Sequence, residues 1–152
     1  MKLALGCDHA GLEFKEKVKG ILGEWGHEVL DFGTNSKDSV DYPDFGLRVA
    51  HAVADGVVDR GVNVCWTGNG MAIAANKVPG VRAGLAVSVE MAFLTRSHND
   101  ANVLCLAQKY TPEGDLEEII KTFLETPFEG GRHVQRVAKI MAEEEGRKVP
   151  EG

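Results

Sequence analysis

The chain predicts an open α/β domain: a doubly wound, five-stranded parallel sheet with helices on both faces, a three-layer αβα sandwich. Three observations predict it. Five short apolar runs alternate with longer amphipathic stretches. That alternation implies βαβ units, whose crossovers are right-handed and whose strands run parallel. The 152 residues are 43% apolar and 26% charged, enough for one domain with its own core.

The elements follow in order. Residues 3–7, LALGC, form a compact apolar run and predict a buried strand. In 11–26, Leu12, Phe14, Val18, Ile21, Leu22 and Trp25 recur at helical spacing, with Glu and Lys between them and Gly26 as C-cap. HEVLDFG is a short strand. Residues 34–45, rich in turn formers, predict a loop long enough to carry function. Residues 43–56 predict a helix with Pro43 in its first turn and Gly56 near its end. GVNVCW is the third strand, TGNG a turn, and MAIAANK a helix that cannot run past Val78-Pro79. RAGLAV is the fourth strand. Residues 88–100 are a helix capped by Ser88, and ANVLCLA is the fifth strand. Residues 112–127 and 130–145 are two closing helices. The domain spans 1–146, and 147–152 is a charged tail.

Charge and cysteine usage exclude several classes. With 17 basic and 23 acidic side chains the net charge is −6, which disfavours nucleic acid and anionic membranes. Any bound anion needs a local cationic site. Cys7, Cys65 and Cys105 form no disulfide framework. The N-terminal apolar run is too short for a signal peptide, and no stretch reaches the ~18 apolar residues of a membrane helix. The expectation is a reduced, cytoplasmic chain.

In a doubly wound sheet, ligands bind beyond the carboxyl ends of the strands. Four constellations are therefore informative. In CWTGNGMAIAANK, a strand ends at Cys65 and the turn Trp66, Thr67, Gly68, Asn69, Gly70 opens a helix. Its backbone N–H groups favour an anion, a Cys65 thiolate included. A structural cysteine in a tight turn is about equally compatible with that segment alone. Asp8 and His9 come directly after the first strand and suit sugar hydroxyls and an anion, against the alternative of a helix cap. In SHNDAN, His98 ends a helix, where Asp100 could orient it; a plain polar turn explains the same residues. In GGRHVQRV, Arg132 and Arg136 share one helical face near its N-terminus, where cations oppose the macrodipole and an anionic ligand offsets the cost. No close His or Cys pair predicts zinc. A Cys65–His98 nucleophile–base dyad is a further possibility.

Taken together, GCDHAG, DYPDF, CWTGNGMAIAANK, SHNDANVL and EGGRHVQRV occur in an order that resembles the ribose-5-phosphate isomerase type B family. That family also includes galactose-6-phosphate and allose-6-phosphate isomerases. The resemblance covers nearly the whole chain up to the tail. It implies a Rossmann-like domain, a homodimer or dimer of dimers with active sites between subunits, and no metal or organic cofactor. It implies a carbonyl moved between C1 and C2 of a sugar phosphate through a cis-enediolate. Cys65 would be the base, since Met71 stands where other members carry glutamate. Thr67 and His98 would open the sugar ring. Asp8 and Tyr42 would bind sugar hydroxyls, Asn99 would contact the sugar or the enediolate oxygens, and the turn from Trp66 to Gly70 would hold the enediolate. His9, Arg132 and Arg136 would bind phosphate. Trp66 replaces a common glycine, and Lys109 stands where relatives often have a phosphate-binding arginine.

The expected substrate is ribose 5-phosphate, interconverted with ribulose 5-phosphate. A hexose 6-phosphate or a tetrose phosphate is the alternative. A phosphoacceptor signalling domain of flavodoxin-like fold is disfavoured, because the third strand ends in Cys65 rather than aspartate.

Overall fold

The computed structural model describes residues 1–146; the expected tail, 147–152, lies outside the described residues. The five strands are β1 (Lys2–Cys7), β2 (Glu28–Asp31), β3 (Arg60–Cys65), β4 (Ala83–Leu85) and β5 (Val103–Ala107). They form one all-parallel sheet in the order β2-β1-β3-β5-β4. The helices are α1 (Leu12–Glu24), α2 (Tyr42–Ala54), α3 (Asn69–Ala75), α4 (Val89–Ser97), α5 (Leu116–Glu125) and α6 (Arg132–Glu144). The doubly wound sandwich is thus present, with the last two strands exchanged relative to a simple outward progression.

A parallel sheet covered on both faces needs strands that are apolar throughout. In β1 and β3, every residue after the first is buried, and all of β5 is buried. The edge strands β2 and β4 are only partly buried. Alternate side chains enter two cores. Leu3, Leu5, Val62, Val64, Leu104 and Leu106 pack with α1, α4 and α5. Ala4, Cys65, Val103 and Cys105 pack with α2 and α3.

The expected helix and strand limits shift at their ends. The turn at Asn69-Gly70 already belongs to α3, and Asp8 caps a short 3-10 turn, His9–Gly11, before α1. The fourth strand shrinks to three residues because β4 is an edge with one neighbour.

One side chain departs from the helical pattern. Lys15 lies among the polar positions of α1, yet it is fully buried. Its Nζ donates to both carboxylate oxygens of Asp31 at 3.0 Å, to Thr34 O at 2.7 Å and to Asn35 Oδ1 at 2.8 Å. A buried ammonium is tolerated only when paired and hydrogen-bonded, and here the partners come from the start of the long loop. The network pins that loop to α1. Burial alone would raise the Asp31 carboxyl. The Gly33 N–H, Lys19 and Lys15 outweigh it and hold that carboxyl below its ordinary value.

Replacing Asp31 with asparagine leaves the buried Lys15 charge paired with the more exposed Glu16 carboxylate at 3.2 Å instead of the buried one, so urea unfolding at pH 7 should show a loss of about 3 kcal/mol. Because the folded Asp31 value is depressed, its contribution is full above the unfolded value of ~3.9 and is lost as pH falls through the folded value. The gap between wild type and Asp31→Asn should therefore close below about pH 4. A loss under about 1 kcal/mol at pH 7 would contradict this role for the pair.

Candidate active site

The chain passes from β1 outward to β2, then crosses back to the other side of β1 for β3. The crevice between the carboxyl ends of β1 and β3 is therefore the topological switch point, where such sheets bind ligands. Asp8 and Cys65 both emerge there. The Asp8 N–H donates to Val64 O at 3.3 Å, tying the two strand ends together. The Asp8 carboxylate, 7% exposed, accepts the Gly11 N–H at 3.0 Å. His9 Nδ1 accepts the Val40 N–H at 3.1 Å, so Nε2 carries the proton of the neutral ring. That bond also fastens the far part of the long loop to the end of β1.

The glycine turn is shaped by close packing. Gly68 has φ +75°, a left-handed conformation that favours glycine, and caps α3. A Cβ there would strike Leu85 and lie 3.3 Å from the Leu106 carbonyl. A Cβ on Gly70 would lie 2.6 Å from Tyr42 Cζ. The Tyr42 ring thus lies directly on the turn, although the two residues come from different crossovers. Thr67 Oγ1 accepts the Asn69 N–H at 3.4 Å. Lys109 comes after β5 at the same edge, and its N–H donates to Trp66 O at 3.0 Å. The Trp66 side chain is 48% exposed.

The three cysteines differ in surroundings. Burial pushes the Cys7 thiol up to about 12 and raises Cys105 further. Both are held protonated and sit inside the cores. Cys65 is buried too, but its Sγ accepts the Gly68 N–H at 3.2 Å at the sheet edge. Of the three, Cys65 is the one set against a backbone donor in the crevice.

The remaining expected residues lie at the opposite edge. His98 is the C-cap of α4 and precedes β5, as does Asn99. Cys65 is in register with Ala107, and Gly61 with Val103. Four steps at roughly 3.3 Å separate the two edges by about 13 Å. Arg132 and Arg136 lie in the first turns of α6, exposed. That helix attaches near its two ends. The Glu129 N–H donates to Ser97 O at 3.0 Å before it, and Arg82 Nη1 lies 3.3 Å from Met141 Sδ near its end. One chain thus brings together Asp8, His9, Tyr42, Cys65, Trp66, Thr67, Gly68, Asn69, Gly70 and Lys109 at one edge. It brings His98, Asn99, Arg132 and Arg136 to the other.

The second edge holds two residues the sequence did not single out. His133, 5% exposed, stacks on His98 with ring centroids 4.2 Å apart and planes 16° apart. Glu129 Oε2 lies 3.8 Å from His98 Nε2 and 3.7 Å from His133 Nε2. The two histidines are 35 positions apart, so no local spacing signals the pair. Among the described residues, His98, Glu129 and His133 are the group whose ligand atoms lie within 4.8 Å of one another. The near-parallel rings do not converge on a point as tetrahedral zinc ligation requires.

Fold and switch-point residues together define an α/β domain with a polar crevice at the carboxyl ends of its strands. Comparison with known proteins makes the class specific. The Ribose/Galactose Isomerase family matches residues 3–140. The chain is 44% identical over 146 residues to ribose-5-phosphate isomerase B of Escherichia coli, covering 96% of this chain and 98% of that one. It is similar in structure to ribose-5-phosphate isomerase B of Clostridium thermocellum, at a TM-score of 0.94 and 47% identity, over 96% and 99% of the two chains. The Mycoplasma genitalium enzyme, described with bound ribulose-5-phosphate, aligns at a TM-score of 0.91 and 40% identity, over 95% and 96%. The chain belongs to the ribose/galactose isomerase family. No helix among the described residues is long and apolar enough to cross a membrane.

Gly68→Ala should lower stability by about 1–3 kcal/mol through strain and overpacking, read as a fall in Tm. Gly23→Ala in α1, where a Cβ would meet nothing within 4 Å, is the control and should leave Tm unchanged or raised. Equal effects at both positions would rule out close packing as the reason for Gly68.

Proposed function

We propose that this chain is an aldose–ketose isomerase that interconverts ribose 5-phosphate and ribulose 5-phosphate through a cis-enediolate. The observation that carries this reading is Cys65 Sγ at the switch point, beside Asp8 and bonded to the Gly68 N–H. A base there has a backbone donor to steady its negative charge, as proton abstraction next to a carbonyl requires.

The reaction has two parts. The furanose ring opens, a proton transfer assigned to His98 and Thr67. The Cys65 thiolate then takes the proton from C2 of the aldose, and the electron pair moves to give an enediolate across C1 and C2. Return of the proton to C1, with the O2 hydroxyl proton passing to O1, completes the ketose, with no net redox change and no added group. The turn from Trp66 to Gly70 supports the enediolate oxygens. The first N–H groups of a helix have no intrahelical partner, so α3 offers its own to them. Gly68 spends its N–H on Sγ and Asn69 donates its own to Thr67 Oγ1, so the donors for the oxygens come from the rest of the turn. Asp8, Tyr42 and Asn99 bind the sugar. His9, through Nε2–H, joins Arg132, Arg136 and Lys109 on the phosphate.

Sheet polarity supports a site shared between two copies of the chain. Cys65 and His98 stand about 13 Å or more apart along β5, too far to touch one pentose from a single subunit. α6 leaves Val134 and Ile140 exposed, and Ile73 beside the glycine turn is 63% exposed. Such an unpartnered apolar face fits a homodimer with two-fold symmetry, in which the second edge of one copy meets the crevice of the other.

Cys65→Ala and His98→Ala homodimers should each fold and each lose at least about a thousandfold in turnover. Mixed and re-equilibrated, they should regain about a quarter of wild-type activity, because half of the dimers then hold one intact site. No recovery in confirmed mixed dimers would place both groups in one subunit. A Cys65→Ala enzyme with normal turnover would remove the base.

Arg136→Ala should raise KM for ribose 5-phosphate by roughly tenfold or more with a smaller change in kcat, as loss of a phosphate contact does. An unchanged KM would remove Arg136 from the phosphate site.

A further inference from the structure

The stacked pair of histidines has a consequence for the ring-opening step. His98 is the more exposed partner, and His133 is buried against it. His133 Nε2 has no hydrogen-bond partner among the described residues. The Glu129 carboxylate lies 3.7 Å from it and 3.8 Å from His98 Nε2. The charged groups that face His133 are His98 from the end of α4, Glu129 from the segment before α6, and Arg132 and Arg136 from α6 itself.

We infer that His133 and Glu129 are positioning residues for His98: the buried His133 ring holds the His98 imidazole in one plane, and the Glu129 carboxylate stands beside it to pair with its charged form.

The inference rests on the ring-opening role proposed for His98. Ring opening breaks the C1–O4 bond of the furanose. The electron pair leaves on O4, which takes a proton from His98, and the O1–H proton returns to His98 as the C1 carbonyl forms. His98 must therefore alternate between the imidazolium and the neutral imidazole, in a fixed orientation. Charging both rings would place two imidazolium groups face to face, beside Arg132 and Arg136. Burial first, then the nearby His98 charge, pulls His133 below the ordinary imidazole value. His133 is thus held neutral, while His98 shares the Glu129 carboxylate and has better access to water.

The role is separable from general support of the site, because ribulose 5-phosphate is open-chain. Its O5 is esterified and cannot close a five-membered ring on C2. Exchange of its C1 hydrogen with deuterium from the solvent needs the enediolate step but no ring opening. We would compare wild type, His133→Ala, His133→Phe and Glu129→Gln in two assays. One is ribose 5-phosphate turnover against pH, and the other is C1 deuterium exchange of ribulose 5-phosphate.

His133→Ala should lose about tenfold or more in turnover, while C1 exchange stays within about twofold of wild type. His133→Phe keeps a flat ring that carries no proton and should recover most of the turnover. Glu129→Gln removes a negative charge beside His98, so the limb of the profile that reports His98 should move to lower pH. Three results would overturn the inference: equal losses in both assays, failure of phenylalanine to rescue, or an unmoved limb in Glu129→Gln. Equal losses would mean general support, and failure of rescue would mean that the His133 nitrogen itself acts. Absence of C1 exchange in wild type would instead overturn the isomerase reading on which the inference rests.

Discussion

All five strands point the same way, and that polarity governs the placement of every functional group. In a parallel sheet, the residues that leave a strand and the residues that enter it lie on opposite edges. Cys65 ends β3 and Asp8 comes directly after β1, so they meet. His98 and Asn99 precede β5, so they cannot join them within one subunit. The proposed sharing of the site between two copies therefore rests on strand direction rather than on any particular surface residue.

The same polarity sorts the cysteines. Cys7 and Cys65 each end a strand, and Cys105 lies mid-strand. Position along the strand does not separate the first two, but sheet packing does. Cys7 turns into the core shared with α1, where burial holds the thiol protonated. Cys65 ends on a turn whose left-handed glycine aims an N–H at the sulfur. That turn is itself fixed by Leu85 and Leu106 on the neighbouring strands, so the position of the sulfur depends on packing two strands away.

A buried ion network carries the same dependence into the long loop. Lys15 on α1 fastens Asp31, Thr34 and Asn35, and His9 fastens Val40. Tyr42 begins α2 immediately after this loop and lies on Gly70. A charge inside the first crossover thus acts on the ring that covers the turn of the third. Removing either fastening should loosen Tyr42 before it disturbs the sheet, because the strands have their own hydrogen bonds and apolar faces.

Much of this was legible in the sequence. The alternation of apolar runs with amphipathic helices determined the α/β class and the five strands, because burial on both faces leaves a continuous apolar signature. Cys65, Asp8 and the Gly68–Gly70 turn stood out because strand-to-helix turns have local rules. Arg132 and Arg136 stood out by helical spacing, and the order of the motifs pointed to the family. The strand order, with β5 inside β4, was not legible, since crossover length does not specify which neighbour a strand chooses. Lys15 looked like a solvated helix position, because its partners lie in another element. His133 and Glu129 gave no sign, because their partner is 35 residues from His133 in sequence and 4.2 Å away in space. The sequence by itself determined which chemistry-bearing groups exist and which strand ends carry them, because those features are local. Only the tertiary structure decided which of them meet, because that depends on strand order and direction.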